Sequence, residues 1–206
     1  MFSSAKLDKM LAIQSYLRYF RSLNIFNIPM ATLLAFAGSN SSTSINLKLV
    51  QYTVGLIDSH DVQLLNMVNF PFPMYSEDRE REEGYSNSLI ELKDDIAGAD
   101  GLLISVNEHN SNPSAYFKNL IDWLSRLELK FLEGTKVMLM STSGGKRGGS
   151  GSLEVVKNIL PRFGAEVVAS FSLPQYYQNF DPGNGISDEA LAAQHKQALA
   201  EFLSKI

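Results

Sequence analysis

The chain has no cysteine. That excludes a disulfide framework, a thiolate nucleophile, thiolate-held zinc and iron–sulfur clusters, so any redox chemistry must be borrowed from a bound cofactor. No apolar run approaches the length needed to cross a bilayer, and the start lacks a continuous apolar signal core. A soluble, cytoplasmic protein without a membrane partner is the expectation. Charge is sparse as well, with 18 Lys and Arg against 22 Asp and Glu, a formal net charge of −4 over 206 residues. Nucleic acid is therefore excluded as the main partner, because phosphate-backbone binding needs a concentrated basic surface. The densest charge run, Glu77 to Glu83, mixes both signs. It reads as a solvated segment of a loop, neither a catalytic carboxylate pair nor a metal site.

A hydrophobic fraction of 45% suits one compact domain. Residues 1–29 differ from the rest: Lys6, Lys9, Arg18 and Arg21 stand against Asp8, and Met10, Ile13, Leu17 and Phe20 recur at helical spacing, as in a basic amphipathic helix. The simplest reading starts the domain at Met30 and makes 1–29 an extension or the product of an upstream start codon. An organelle-targeting segment is the sharper alternative, disfavoured by only two arginines and no evident cleavage signal.

From Thr32 onward short apolar runs alternate with amphipathic stretches, the pattern of repeated βα units. Strands are expected at about 32–37, 62–68, 101–106, 137–140 and 167–171. Helices are expected at about 44–57, 86–97, from Pro113 through Leu124, at 153–163 and at 188–204, with a Pro-rich and then charged loop over 69–84. Five strands and intervening helices fit a doubly wound parallel sheet of order 2-1-3-4-5, whose ligands sit beyond the carboxyl ends of the strands. The loops at that edge have unusual compositions. The first, Gly38-Ser39-Asn40-Ser41-Ser42-Thr43-Ser44-Ile45-Asn46, runs from strand into helix. A helix N-terminus offers unpaired N–H groups and a partial positive charge, so the junction is a natural seat for a phosphate. It lacks both the Lys-bearing triphosphate loop and the three-glycine dinucleotide fingerprint, which points to a mononucleotide held by hydroxyls and backbone amides. Ser, Thr and Asn also suit an ordinary helix start, but this crowding exceeds any capping need.

Four segments in register resemble the NAD(P)H-dependent FMN reductase family, the flavodoxin-like group that includes quinone, azo-dye and chromate reductases. They are Gly38, Ser39, Ser44 and Asn46 of the first loop; Pro71-Phe72-Pro73-Met74-Tyr75 with Glu77 and Asp78; Asn107-Glu108-His109-Asn110 followed by Phe117-Lys118-Asn119-Leu120-Ile121-Asp122-Trp123; and the glycine-rich run Ser141 to Gly149. The resemblance covers 31–173. It departs where Ser41 stands for an arginine, Asn107 for a proline, His109 for a tyrosine, and Ala115 and Tyr116 for glycines.

The resemblance implies a flavodoxin-like three-layer α/β/α domain that binds FMN and takes NADPH or NADH as co-substrate. It implies a small-molecule acceptor (a quinone, flavin, azo compound or metal oxyanion), a homodimer or homotetramer, and no catalytic side chain. On this reading Ser39, Ser41, Ser44, Ile45 and Asn46 bind the phosphate, and Pro73, Met74 and Tyr75 wall one side of the ring. Asn107, Glu108, His109 and Asn110 meet the ring's polar edge, and Ser143, Gly144 and Gly145 admit its close approach. His60 and His195 read as surface residues, and Trp123 as packing. A flavodoxin-type electron carrier and a flavin-free scaffold stay open as rival readings.

Overall fold

Strand β1 (Thr32–Ala37) is buried at every position but its first, and β3 (Gly101–Val106) is buried throughout. Such continuously apolar strands belong inside a parallel sheet covered on both faces. The structure, a computed structural model, describes residues 30–206; the amphipathic helix expected within 1–29 lies outside the described residues. With β2 (Asp61–Leu65), β6 (Lys136–Thr142) and β7 (Glu166–Leu173), these strands form one parallel sheet of order β2-β1-β3-β6-β7, the 2-1-3-4-5 order of the sequence analysis. Ala35 stands opposite Leu103, Ile104 opposite Leu139, and Met140 opposite Phe171.

Because side chains alternate across a strand, the sheet divides the core in two. Leu34, Phe36, Leu102, Ile104 and Leu139 face α3 (Asn87–Ala97), α4 (Ala115–Leu127) and α5 (Ser150–Ile159), which cover one side. Leu33, Ala35, Leu103, Met138 and Met140 pack with residues of α1 (Ile45–Val54) and α7 (Glu189–Leu203) on the other. Ser44, Ser86, Ser114 and Asp188 each accept a hydrogen bond from the backbone N–H three residues on, capping α1, α3, α4 and α7. No described helix is long and apolar enough to cross a membrane.

Two expectations are corrected. The 69–84 loop contains α2 (Glu77–Glu83), capped by Ser76 and closed by Gly84 at φ 70°. Its anchor is Glu80, whose carboxylate accepts from Tyr75 Oη at 2.9 Å, Tyr85 Oη at 2.8 Å and Arg126 Nε at 2.9 Å. The segment between strand and helix over 107–112 folds into a hairpin, β4 (Glu108–His109) with β5 (Asn112–Pro113), ahead of the Ser114 cap of α4. His195, expected at the surface, is fully buried between α7 and α1. Its Nε2 lies 2.8 Å from the Thr53 hydroxyl, which also bonds Leu49 O at 2.9 Å. Two short elements follow β7: α6 (Tyr176–Asn179) and the hairpin of β8 (Phe180–Asp181) with β9 (Gly185–Ile186).

Two pH effects on stability follow. Arg126 and the two tyrosine hydroxyls hold the Glu80 carboxyl at about 2, below its ordinary 4.5. Its contribution is present above pH 4.5 and is lost as pH falls toward 2, so the stability gap between wild type and Glu80→Gln should narrow across that window in urea titrations. Burial, and then the Lys196 charge, push His195 down from 6.5 to about 4. The unfolded chain takes up that proton first, so stability should fall from pH 6.5 toward 4, by about 3 kcal/mol at most. His195→Gln should flatten that slope; an unchanged slope would show that other groups cause it.

Candidate functional site

The loop between β1 and α1 is built around Gly38. Its N–H donates to Ser105 O at 2.9 Å, and its carbonyl accepts from Ser114 Oγ at 2.9 Å. A Cβ there would lie 2.5 Å from the Phe117 ring, so only glycine lets α4 pack this close beneath the loop. Beyond Gly38 the hydroxyls bond one another and the backbone. Ser41 N donates to Ser39 Oγ and Thr43 N to Ser41 Oγ, each at 3.3 Å, while Ser44 Oγ accepts from Leu47 N at 3.1 Å. Among the described residues, the N–H groups of Asn40, Ser42, Ile45 and Asn46 find no acceptor.

The Asn46 side chain is committed within the fold. The residue is only 2% exposed, and its Oδ1 accepts from Ser105 Oγ at 2.8 Å and Thr142 N at 3.0 Å. Its Nδ2 donates to Thr142 O at 3.1 Å. The amide therefore ties the first turn of α1 to the carboxyl ends of β3 and β6, leaving only its backbone N–H to face an anion.

The segment after β2 is pinned from α4. Trp123 Nε1 and Asn119 Nδ2 donate to Pro73 O at 2.8 and 2.9 Å, and Asn119 Oδ1 accepts from Tyr75 N at 2.7 Å. The Tyr75 hydroxyl is turned to Glu80 and its ring stands edge-on to Trp123, while Met74, between the two pinned residues, is 68% exposed. Burial and the neighbouring Glu80 carboxylate push the Tyr75 phenol above its ordinary 10.0.

In the β4–β5 hairpin, Asn110 and Ser111 both have positive φ, 52° and 62°. This is the backbone of a tight turn that usually takes Asn-Gly or Gly-Gly, so Ser111 holds a conformation of some strain. The hairpin is clamped to α5, with Ser152 N donating to Glu108 Oε2 at 3.0 Å and Ser152 Oγ to Asn107 O at 3.1 Å. The Glu108 carboxylate thus complements the N-terminal end of α5, and His109 and Asn110 are left exposed. Asn107 Oδ1 is buried without a partner among the described residues. After β6, Ser143 O accepts from Tyr176 N at 3.0 Å and Gly145 O from Gln175 N at 2.9 Å. The Tyr177 ring rests on Gly144, 3.3 Å from where a Cβ would be, and is 77% exposed.

All four loops leave the same edge of the sheet. Unpaired N–H groups with surrounding hydroxyls suit a phosphate monoester, and the buried Asn107 acceptor suits a ligand carrying N–H or O–H donors, so the residues present fit FMN. Sequence reasoning placed the candidate loop residues at this edge but missed the groups that hold them, Ser105, Ser114 and Thr142, and took Trp123 only as packing. The motif containing Asn119 and Trp123 was the available signal. Asn46→Ala should strand the buried Thr142 N–H and Ser105 hydroxyl and cost roughly 1–3 kcal/mol in chemical denaturation. A cost within about 0.5 kcal/mol, the scale of ordinary surface changes, would refute that role.

The model of a family described as NADPH-dependent FMN reductase matches residues 31–178. A quinone reductase of Escherichia coli (strain K12) is 32% identical over 121 residues, 54% of this chain and 64% of that protein. An NAD(P)H-dependent FMN reductase of Pseudomonas aeruginosa is 28% identical over 117 residues, 56% of this chain and 62% of that protein. The chain thus spans less than two thirds of the length of these two relatives. Among solved structures, the flavoenzyme NAD(P)H:(acceptor) oxidoreductase FerB from Paracoccus denitrificans has the same fold, with a TM-score of 0.70 at 24% identity over 85% of this chain and 96% of that one. With the family match spanning most of the chain, this protein belongs to the NADPH-dependent FMN reductase family.

Proposed function

We propose that this chain binds FMN at the carboxyl edge of its sheet and draws electrons from NADPH or NADH to reduce a small acceptor, a quinone or a free flavin. The observation that carries the reading is the group of unpaired N–H donors between Asn40 and Asn46, held open by bonds that need no ligand. Bound there, FMN supplies two-electron chemistry that no side chain of this cysteine-free protein offers. The chain binds and orients. Hydroxyls of Ser39, Ser41 and Ser44 and the amides of Ile45 and Asn46 hold the phosphate with the α1 dipole behind them.

Asn107 to Asn110 present amides and carbonyls to the ring's polar edge, with Glu108 as the positioning residue. Pro73 and Met74 wall the opposite end. Tyr75 supports that wall through its backbone, and Ser143, Gly144 and Gly145 allow a planar ring close approach because the glycines carry no side chain. The names of the curated relatives, a quinone reductase and an FMN reductase, support the two acceptor classes. Exposed Met74 and Tyr177 beside these loops support completion of the site by a second copy, as a homodimer or homotetramer.

The reading is tested by titrating the ligand-free chain with FMN, following quenching of flavin fluorescence, then adding NADPH or NADH without oxygen. Saturable quenching followed by bleaching of the flavin absorbance is the expected result. Ser41→Arg should tighten FMN binding roughly tenfold by adding a charge-assisted contact, and Ser41→Asp should weaken it comparably. Absence of FMN binding in wild type and Ser41→Arg alike would overturn the proposal.

A further inference from the structure

A second cleft opens on the other helical layer, between α1 and the β8–β9 hairpin, and encloses about 440 Å³. No residue of the four candidate flavin loops lines it. The size falls within the roughly 300–1,000 Å³ of small-molecule sites. Its floor is aromatic: Tyr52 stands edge-on to Phe180, with ring centroids 5.6 Å apart, and packs against the buried His195 ring at 5.4 Å. Gly185 makes this arrangement possible. Its φ is +84°, and a Cβ there would fall 2.0 Å from the Tyr52 ring, so any other residue would push the hairpin away from α1.

The hairpin wall is preformed. Asp181 Oδ1 accepts from Gly183 N at 2.9 Å, Asn184 N at 2.8 Å and Asn184 Nδ2 at 2.9 Å, which fixes the turn and engages that oxygen within it. None of the lining residues is acidic. Lys48 is the one charged residue among them, and among the described residues it forms no ion pair. Gln51 and Asn184 add amide groups at the rim. An aromatic floor, one unpaired cation and neutral amides, on a protein of net charge −4, select a flat apolar body carrying one anionic group.

We propose that this cleft binds a small planar aromatic anion, such as an aryl carboxylate, sulfonate or phosphate, separately from the flavin loops. The ring lies against Tyr52 and Phe180, and the anion meets the Lys48 ammonium. The site is independent of the FMN reading, because its walls come from the outward side of α1 and from the hairpin.

Naphthalene-2-sulfonate is the probe, titrated by calorimetry into the full chain with and without saturating FMN. Saturable one-to-one binding of equal affinity in both conditions is expected. Lys48→Gln changes an exposed side chain with no fold role and should weaken the sulfonate roughly tenfold, the loss of one charge-assisted contact, while leaving uncharged naphthalene-2-carboxamide unaffected. Competition by FMN, equal sulfonate affinity in Lys48→Gln, or no saturable binding to the folded chain would each overturn the proposal. The titration without FMN reads the cleft whether or not flavin binds.

Discussion

The buried amide of Asn46 is the constraint on which the rest of the site depends. Three hydrogen bonds, to Ser105 and to both backbone groups of Thr142, join the first turn of α1 to two neighbouring strands at the edge where the loops converge. A buried amide that loses such partners costs far more than the bonds contribute net, so helix and strands hold one register. The N–H groups ahead of that turn are then free because the turn is supported from beneath. An anion site that needed its ligand for shape would face the entropy of ordering the loop at each binding event.

A second organising element is α4. From its cap to its last turn it contacts two separate parts of the site. Ser114 holds the Gly38 carbonyl, Phe117 packs on Gly38, and Asn119 and Trp123 hold Pro73 and Tyr75. Asn119 and Trp123 are four residues apart and so lie on one face of the helix, which lets both reach the same carbonyl. Arg126, one turn further, draws in α2 through Glu80. A rigid helix thereby sets the spacing between the phosphate loop and the segment after β2, which are distant in sequence.

The two edges of the hairpin loop are held differently. Glu108 and Asn107 are tied to the start of α5, while Asn110 and Ser111 occupy a left-handed turn. The clamp at one end supports the strain at the other. It also directs the Glu108 carboxylate into the protein, so that the hairpin presents mainly backbone groups and exposed short polar side chains.

What the sequence determined by itself was whatever depends on local pattern. Apolar runs at Thr32–Ala37 and Gly101–Val106 marked buried parallel strands, helical spacing marked α3 and α4, and the hydroxyl-rich junction after Gly38 marked an anion site. Strand order followed because connection rules leave few topologies for five βα units. Helix α2 was missed because its seven residues are all charged and show no apolar stripe; its stability comes from Glu80 meeting Tyr75, Tyr85 and Arg126. His195 was misplaced because polar neighbours in sequence do not reveal which face of α7 turns toward α1. The bonds from Asn46 to Thr142 and from Asn119 to Pro73, and the cleft behind Gly185, join residues 46 to 133 positions apart in the chain. Only the tertiary structure decided these, because contact between distant segments depends on how the helices dock on the sheet, which no local periodicity encodes.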